Sequence, residues 1–391
     1  MIYSAPDLGA AEMAAIAHID DLRTQLRHRV AEPRRWYGPL RRLIQARHVQ
    51  GSNSIEGYDA SLDDVLAAVE DEEAMDAATE TVHALQGYND ALTYVLQLAD
   101  DDDVTIDESL LRSLHFMMVK YDLSKRPGRW RKGDVYVRRE SDDAVVYEGP
   151  DAAQVEPLVS ELIDSLGDHD APVLVGAAMA HLNLVMIHPF KDGNGRMARC
   201  LQTMVLAREK IVAPVFSSIE EHLGRTTLAY YEVLGSVGRG SWQPGNDARP
   251  WVRFCLNAHY QQGQRTLWRV REAEELWDRC EVIAREAKVA PRSVGPLSDA
   301  ARGRRIRNWS YRSTAQESEG FEIDVPTASR DLRSLVNAGL LVPQGETKGR
   351  FYVAGKRLLD ERAEIRAQRP TALTADLFEE TGEQLSFGVT R

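Results

Sequence analysis

Residues 188 to 199 read His-Pro-Phe-Lys-Asp-Gly-Asn-Gly-Arg-Met-Ala-Arg, which dictates a tight backbone turn between two helical patterns. Upstream, residues 171 to 190 form the most apolar stretch of the chain but include His181, Asn183 and His188. That mixture predicts a buried helix and argues against a membrane span. His181, seven residues before His188, is taken as a residue of this helix and not as a metal ligand. Downstream, residues 197 to 208 again have helical spacing. Gly193, Asn194 and Gly195 therefore sit where the chain enters a helix. Glycines let a backbone approach a ligand and adopt the positive φ that turns several N–H groups inward. The helix start adds unpaired donors and a partial positive charge, so a di- or triphosphate is the natural guest.

The charged residues around the turn suit the same guest. Arg196 and Arg199 lie three apart in the first helical turn, on one side, with reach to successive phosphates. Asp192 offers a hard oxygen ligand for Mg²⁺ bridging those phosphates. His188 can accept a proton from an attacking hydroxyl near neutral pH. A histidine beside proline, or two arginines on a helix, has an ordinary explanation when taken alone. Phosphate binding explains the whole set at once.

The segment resembles the signature of the Fic (filamentation induced by cyclic AMP) family, His-Pro-Phe-x-Asp/Glu-Gly-Asn-Gly-Arg-x-x-Arg, and every specified position is matched. The resemblance covers about residues 40 to 260. It implies a protein adenylyltransferase that uses ATP and Mg²⁺. His188 would deprotonate a Ser, Thr or Tyr hydroxyl of a target protein, and that oxygen would attack the α-phosphate, releasing pyrophosphate. In this scheme Asp192 holds the metal, the Gly193–Gly195 amides form the anion hole, and Arg196 and Arg199 bind phosphates, Arg199 the γ-phosphate. Relatives with altered loops transfer other groups, and the intact Gly-Asn-Gly-Arg favours nucleotidyl transfer.

Two further segments gain meaning from the resemblance. Residues 135 to 147 alternate like strands around a polar turn near Asp142 and Asp143, a hairpin. It matches the family's flap, with Val135 and Val137 on the strand that aligns a target segment. Tyr230 and Tyr231 fall where the family places an aromatic against adenine. Ser52-Asn-Ser-Ile-Glu56-Gly57 matches the inhibitory pattern Ser/Thr-x-x-x-Glu-Gly/Asn; without the signature it would describe ordinary capping of a helix start. The resemblance implies that Glu56 pairs with Arg199 and displaces the γ-phosphate, and that Ser52 belongs to the same device. Some relatives use the equivalent glutamate to remove AMP, so the direction of transfer stays open.

The expected fold is mainly α: an N-terminal helical region with the inhibitory motif (1–100), a Fic catalytic core with a hairpin flap (101–270), a smaller winged helix-turn-helix-like domain (271–355) and a polar tail (356–391). Helical spacing predicts helices over 10–50, interrupted by Pro33 and Pro39, over 62–98, and over 251–287. Thr105 with Glu108 reads as a capping box, as do Ser217 with Glu220 and Ser218 with Glu221. The helical pattern 327–338, the stop at Gly339 and strand-like 350–353 suggest the winged helix.

Net charge is −12, which speaks against a chain that coats nucleic acid or anionic membrane. Residues 281 to 353, however, carry 12 basic and 9 acidic residues. Arg302, Arg304, Arg305 and Arg307, with Arg330 and Arg333 on the 327–338 helix, support the alternative of a DNA-binding regulator with a nucleotide-sensing core. Asp331 on that helix weakens it. A toxin restrained by a separate antitoxin is disfavoured by the built-in Glu56. Cys200, Cys255 and Cys280 lack metal-ligand spacing and read as reduced thiols. With no secretory pattern at the N-terminus, a cytoplasmic protein without membrane contact is expected. The target is undefined and the oligomeric state open, a homodimer being one option.

Overall fold

A computed structural model describes the chain except residues 33, 75, 100, 102, 139–143, 168–170, 211–213, 347–348, 371–375 and 379–391. It is mainly α. The described elements are α1 (Ala10–Val30), α2 (Tyr37–Ser54), α3 (Leu62–Val69), α4 (Thr79–Leu98), α5 (Glu108–Val119), the strands β1 (Tyr136–Arg138) and β2 (Val145–Glu148), α6 (Val155–Ser165), α7 (Val173–Ile187), α8 (Asn194–Ala207), α9 (Glu220–Arg225), α10 (Thr227–Gly238) and α11 (Arg249–Glu286). Then come α12 (Val294–Ala301), α13 (Asn308–Glu319), α14 (Val325–Asn337), β3 (Leu341–Gln344), β4 (Phe351–Ala354) and α15 (Lys356–Ala367). No helix among the described residues is long and apolar enough to cross a membrane.

α7 is apolar on every side because it is packed on every side, mainly against α8 and also against α6 and α11. One core gathers residues of α2–α8, and a second joins α1, α2 and α7–α15 with residues of the two hairpins. α7 and α8 contribute to both, which fixes the two helices that flank the glycine turn, and α2, which also contributes to both, packs beside them.

Several local expectations are corrected. The 62–98 helix is two, α3 and α4. Thr105 does not cap α5; the Asp107 carboxylate accepts from the Leu110 amide (2.7 Å) instead. At α9, Ser218 Oγ accepts from the Glu220 amide (3.1 Å), with Ile219 at the cap position. Ser52 is not at a helix start but in the last turn of α2. Gly57, at φ +81°, stops that helix, with the Tyr58 amide donating back to the Asn53 carbonyl (3.1 Å). Pro39 is tolerated in the first turn of α2, where no intrahelical N–H is needed. α11 runs unbroken through residue 270. The turn near Asp142 and Asp143, Pro33 and the tail's residues 371–375 and 379–391 lie outside the described residues, while the tail's first part is the helix α15.

β1 and β2 form an antiparallel hairpin with Tyr136 opposite Glu148 and Val137 opposite Tyr147. Toward the C-terminus the order of helix, Gly339 stop and β3–β4 hairpin is present, and Ile306 bridges Tyr352 at the free edge of β4. The four arginines read as a nucleic-acid patch are turned inward. Arg304 pairs with Asp299 (2.9 Å) and Glu70 (2.7 Å), Arg305 with Asp63 (3.4 Å) and Asp76 (2.9 Å), and Arg307 donates to the Glu73 carbonyl (2.9 Å). Arg302 is buried 3.8 Å from Asp299. Asp331 is held by Arg292 (2.6 Å) and the Tyr311 hydroxyl (2.9 Å), so it does not face solvent as a repelling charge. Only Arg330 and Arg333 of the set remain exposed.

Candidate active site

α7 ends at His188, whose φ of +52° breaks the helix and presents the ring at its end. His188 Nδ1 lies 3.1 Å from the Val185 carbonyl. A ring nitrogen facing a carbonyl carries the proton, which leaves Nε2 as the basic nitrogen. Burial pushes the imidazole below its ordinary range, with the Val185 carbonyl and Glu56 pulling the other way. The neutral, proton-accepting form is favoured.

The turn itself is braced from within. The Asn194 amide accepts from the Phe190 amide (2.9 Å) and donates to its carbonyl (3.0 Å). Its side chain is therefore spent on loop geometry and not on a ligand. Gly193 adopts φ +78° and its amide donates to the Asp192 carboxylate (2.7 Å). Asp192 also pairs with Lys125 Nζ (3.2 Å). Burial would raise its pKa, but Arg196 and Lys125 outweigh that and hold the carboxyl below its usual value. Among the described residues no three acidic, His or Cys groups gather as a metal cluster. One ionised, partly exposed carboxylate beside a glycine turn at a helix start fits Mg²⁺, which commonly takes one or two protein oxygens and completes its shell with phosphates and water.

Arg196 and Arg199 part company despite their helical spacing. Arg199 Nε donates to Ser52 Oγ (2.7 Å), and Nη2 donates to the Ser52 carbonyl (2.9 Å) and to Glu56 Oε1 (2.6 Å). Burial works against the Arg199 charge, but the adjacent Glu56 more than compensates and holds the guanidinium above its ordinary range. Glu56 crowds Gly195 so closely that a Cβ there would overlap its carboxylate. Arg196 is fully buried, stacks 5.2 Å from the Tyr58 ring centre, and has all three guanidinium nitrogens without a hydrogen-bond partner. The nearby Asp192 charge is felt through space, but a buried guanidinium without hydrogen-bond acceptors costs roughly several kcal/mol and suits a place where an anion can bind.

Several residues were not found from the sequence. Arg131 is buried and stitches the flap to the signature. Its Nε donates to the His188 carbonyl (2.9 Å), Nη1 to Gly133 (2.7 Å) and Nη2 to Pro150, while its amide donates to Pro189 (2.9 Å). His115 stacks on Phe190 (3.7 Å, 9°), accepts from the Gly128 amide at Nδ1 and donates from Nε2 to the Asp192 carbonyl (2.9 Å). The Gly128-Arg-Trp-Arg run was the available signal for Arg131; nothing singled out His115.

The two tyrosines also separate. Tyr230 is buried, its hydroxyl 3.0 Å from His181 Nε2 in a chain that continues to Gln202, so it is core and offers no face to a nucleotide. Tyr231 is exposed and donates to the Ile55 carbonyl (3.2 Å), beside Glu56. In the flap, the Gly149 amide donates to the Val135 carbonyl (3.1 Å) and the Tyr147 hydroxyl to the Met186 carbonyl (2.8 Å). Val137 is half-buried on the strand whose outer edge no described strand covers.

Residues 105–206, the segment holding this geometry, match the Fic/DOC family. The chain carries a Fic domain. The Fic domain's relatives include the protein adenylyltransferase Fic of Nematostella vectensis, 30% identical over 225 residues, covering 55% of this chain and 48% of that protein. The protein adenylyltransferase fic-1 of Caenorhabditis elegans is 27% identical over 259 residues, covering 64% and 46%. The chain thus spans about half the length of the curated relatives it matches. A crystal structure of a Fic family protein from Desulfovibrio desulfuricans G20 shares the fold over 90% of this chain and 99% of that one (TM-score 0.57, 22% identity). Residues 134–508 of C. elegans Fic-1 do so over 67% and 73% (TM-score 0.54, 23% identity).

Proposed function

We propose that this Fic domain transfers AMP from ATP to a hydroxyl side chain of a target protein in the cytoplasm, and that Glu56 restrains it. The observation that carries the reading is Arg196: a buried guanidinium with no hydrogen-bond partner, in the first turn of α8. A triphosphate laid along the Gly193–Gly195 amides would supply the missing anion. Mg²⁺ at Asp192 would neutralise phosphate charge when bound.

In this reading the target hydroxyl gives its proton to His188 Nε2 as its oxygen bonds to the α-phosphorus. The bond from that phosphorus to the bridging oxygen breaks, and pyrophosphate leaves. Arg131 fixes the His188 carbonyl, and hence the ring, relative to the flap, where a target segment would pair along β1. Tyr231 is the aromatic available to the adenine. Glu56 holds Arg199 in the place of the γ-phosphate. The 271–355 segment is read as winged-helix-like, with a protein-contact role preferred because Arg304, Arg305 and Arg307 are already engaged within the fold.

Mass spectrometry after incubation with ATP and Mg²⁺ tests this. An AMP adduct on the chain or a co-purified protein is expected, increased by Glu56→Gly and lost in His188→Ala. No adduct in any variant would sink the transfer reaction.

A further inference from the structure

Far along the sequence from the signature, eight arginines on α2, α9, α11 and α15 and just past the ends of α12 and α15 line a single cavity of about 100 Å³, together with Trp268 and Glu272. Few carboxylates answer them. Glu221 takes Arg269 as a bidentate pair, with Arg225 at 3.2 Å and Arg47 at 3.7 Å. Glu272 takes Arg362 (3.0 Å), and Asp299 stands 3.8 Å from Arg302. Eight cations against three carboxylates leave an excess of five positive charges.

The excess is felt by specific atoms. Arg302, with 7% of its side chain exposed, has both Nη atoms buried without a hydrogen-bond partner. Arg47 Nε and Arg265 Nη1 are in the same condition. Burial pushes the Arg47 guanidinium down to about 10, with the neighbouring Arg269 next in effect and Glu221 opposing. Arg366 and Arg369 are exposed at the rim, so a ligand has a way in.

We propose that this junction is a second anion site, separate from the glycine turn, and that it takes a small anion bearing two or more phosphate groups. Forked guanidinium donors converging from several helices match phosphate oxygens. A single carboxylate would leave most of the charge unanswered, whereas a polyphosphate brings several charges into a small volume. Arg47 lies on α2, the helix that ends beside Glu56, so the site touches the element that carries the inhibitory motif.

Calorimetry of the full chain with inorganic tripolyphosphate tests the site. Wild type is expected to bind at two sites. The double variant Arg366→Gln/Arg369→Gln weakens one of them by roughly tenfold or more while the other persists; Arg196→Gln removes that other one. Failure of the glycine-turn site is thus distinguishable from failure of this one. Thermal unfolding is the second readout. Without anion, the double variant unfolds at the same or a higher temperature than wild type, because it relieves like-charge repulsion. With tripolyphosphate, it loses the stabilisation wild type shows. Unchanged binding by the double variant, a lower unfolding temperature without anion, or an equal effect of chloride at matched ionic strength would each overturn the proposal.

Discussion

Arg199 Nη2 and Glu56 Oε1 lie 2.6 Å apart, joining residues 143 positions apart in sequence, and the guanidinium of this pair is wholly buried. The pair is both a structural contact and an obstacle. Any ligand that needs Arg199 must first replace a charge-assisted bond of roughly 1.5–3 kcal/mol. Glu56→Gly is therefore expected to raise AMP incorporation on the order of ten- to a hundredfold. It should also lower stability by about 1–3 kcal/mol, because Arg199 loses its counter-ion. Radiolabelled AMP transfer and denaturant unfolding measure the two; equal transfer rates would remove the restraint.

Arg196 makes the opposite trade. Arg196→Met takes an unpartnered charge out of the interior, so stability without ATP should rise by about 1–3 kcal/mol. ATP affinity should fall at least about tenfold. Unfolding curves with and without ATP separate the two effects. A loss of stability without nucleotide would mean that Arg196 has a structural partner.

His188 sets a pH profile. Its imidazole lies below the ordinary 6.5, so the proton-accepting form persists in mildly acid solution. The rate of AMP incorporation is expected to rise with pH through a midpoint below 6.5 and then to level off. A midpoint above 6.5 contradicts the environment described.

Folding stability should have its own acid limb. Burial pushes His48, His115 and His222 down to about 4, and His181 and His259 down to about 3. Folded pKa values below the unfolded 6.5 mean that the unfolded chain binds protons first as pH drops. The stability these rings contribute is complete above pH 6.5 and is lost as pH falls through the window toward 4 and then 3. Glu220, pushed up to about 7 by burial, opposes this in part. Chemical unfolding at pH 7.5, 6 and 5 should give steadily lower free energies.

Arg131 ties the flap to the signature, so Arg131→Ala should cut transfer by roughly ten- to a hundredfold through misplacement of His188 and the target segment. ATP affinity should change little. Tyr230→Phe likewise should cost about 1 kcal/mol of stability through its lost bond to His181, with ATP affinity intact. Tyr231→Ala should weaken ATP. Nucleotide titration of the three variants distinguishes these roles.

Much of the site was legible because its chemistry is local. The Gly193 turn, the start of α8 and the break at His188 are written in adjacent residues, whose backbone preferences act over a few positions. The motif at Ser52–Gly57 was legible too, but its place was not. The capping reading put it at a helix start, whereas Gly57 ends a helix there. Arg196 and Arg199 share a helix face in the sequence, and only packing gave one a hydrogen-bonded carboxylate and left the other's guanidinium without a hydrogen-bond acceptor. The basic run from Arg302 to Arg307 looked like a nucleic-acid patch until Asp63, Glu70, Asp76 and Asp299 met it across the fold.

By itself, then, the sequence determined the glycine turn, the histidine that ends α7 and the helical character of most segments, since short-range sterics and capping decide these. Tertiary structure alone decided which charges found partners: Arg199 with Glu56, Arg304 with Glu70, and Arg196 and Arg302 left wanting. Charge pairing is a long-range matter, and residues far apart in the chain acquire their partners only when helices pack.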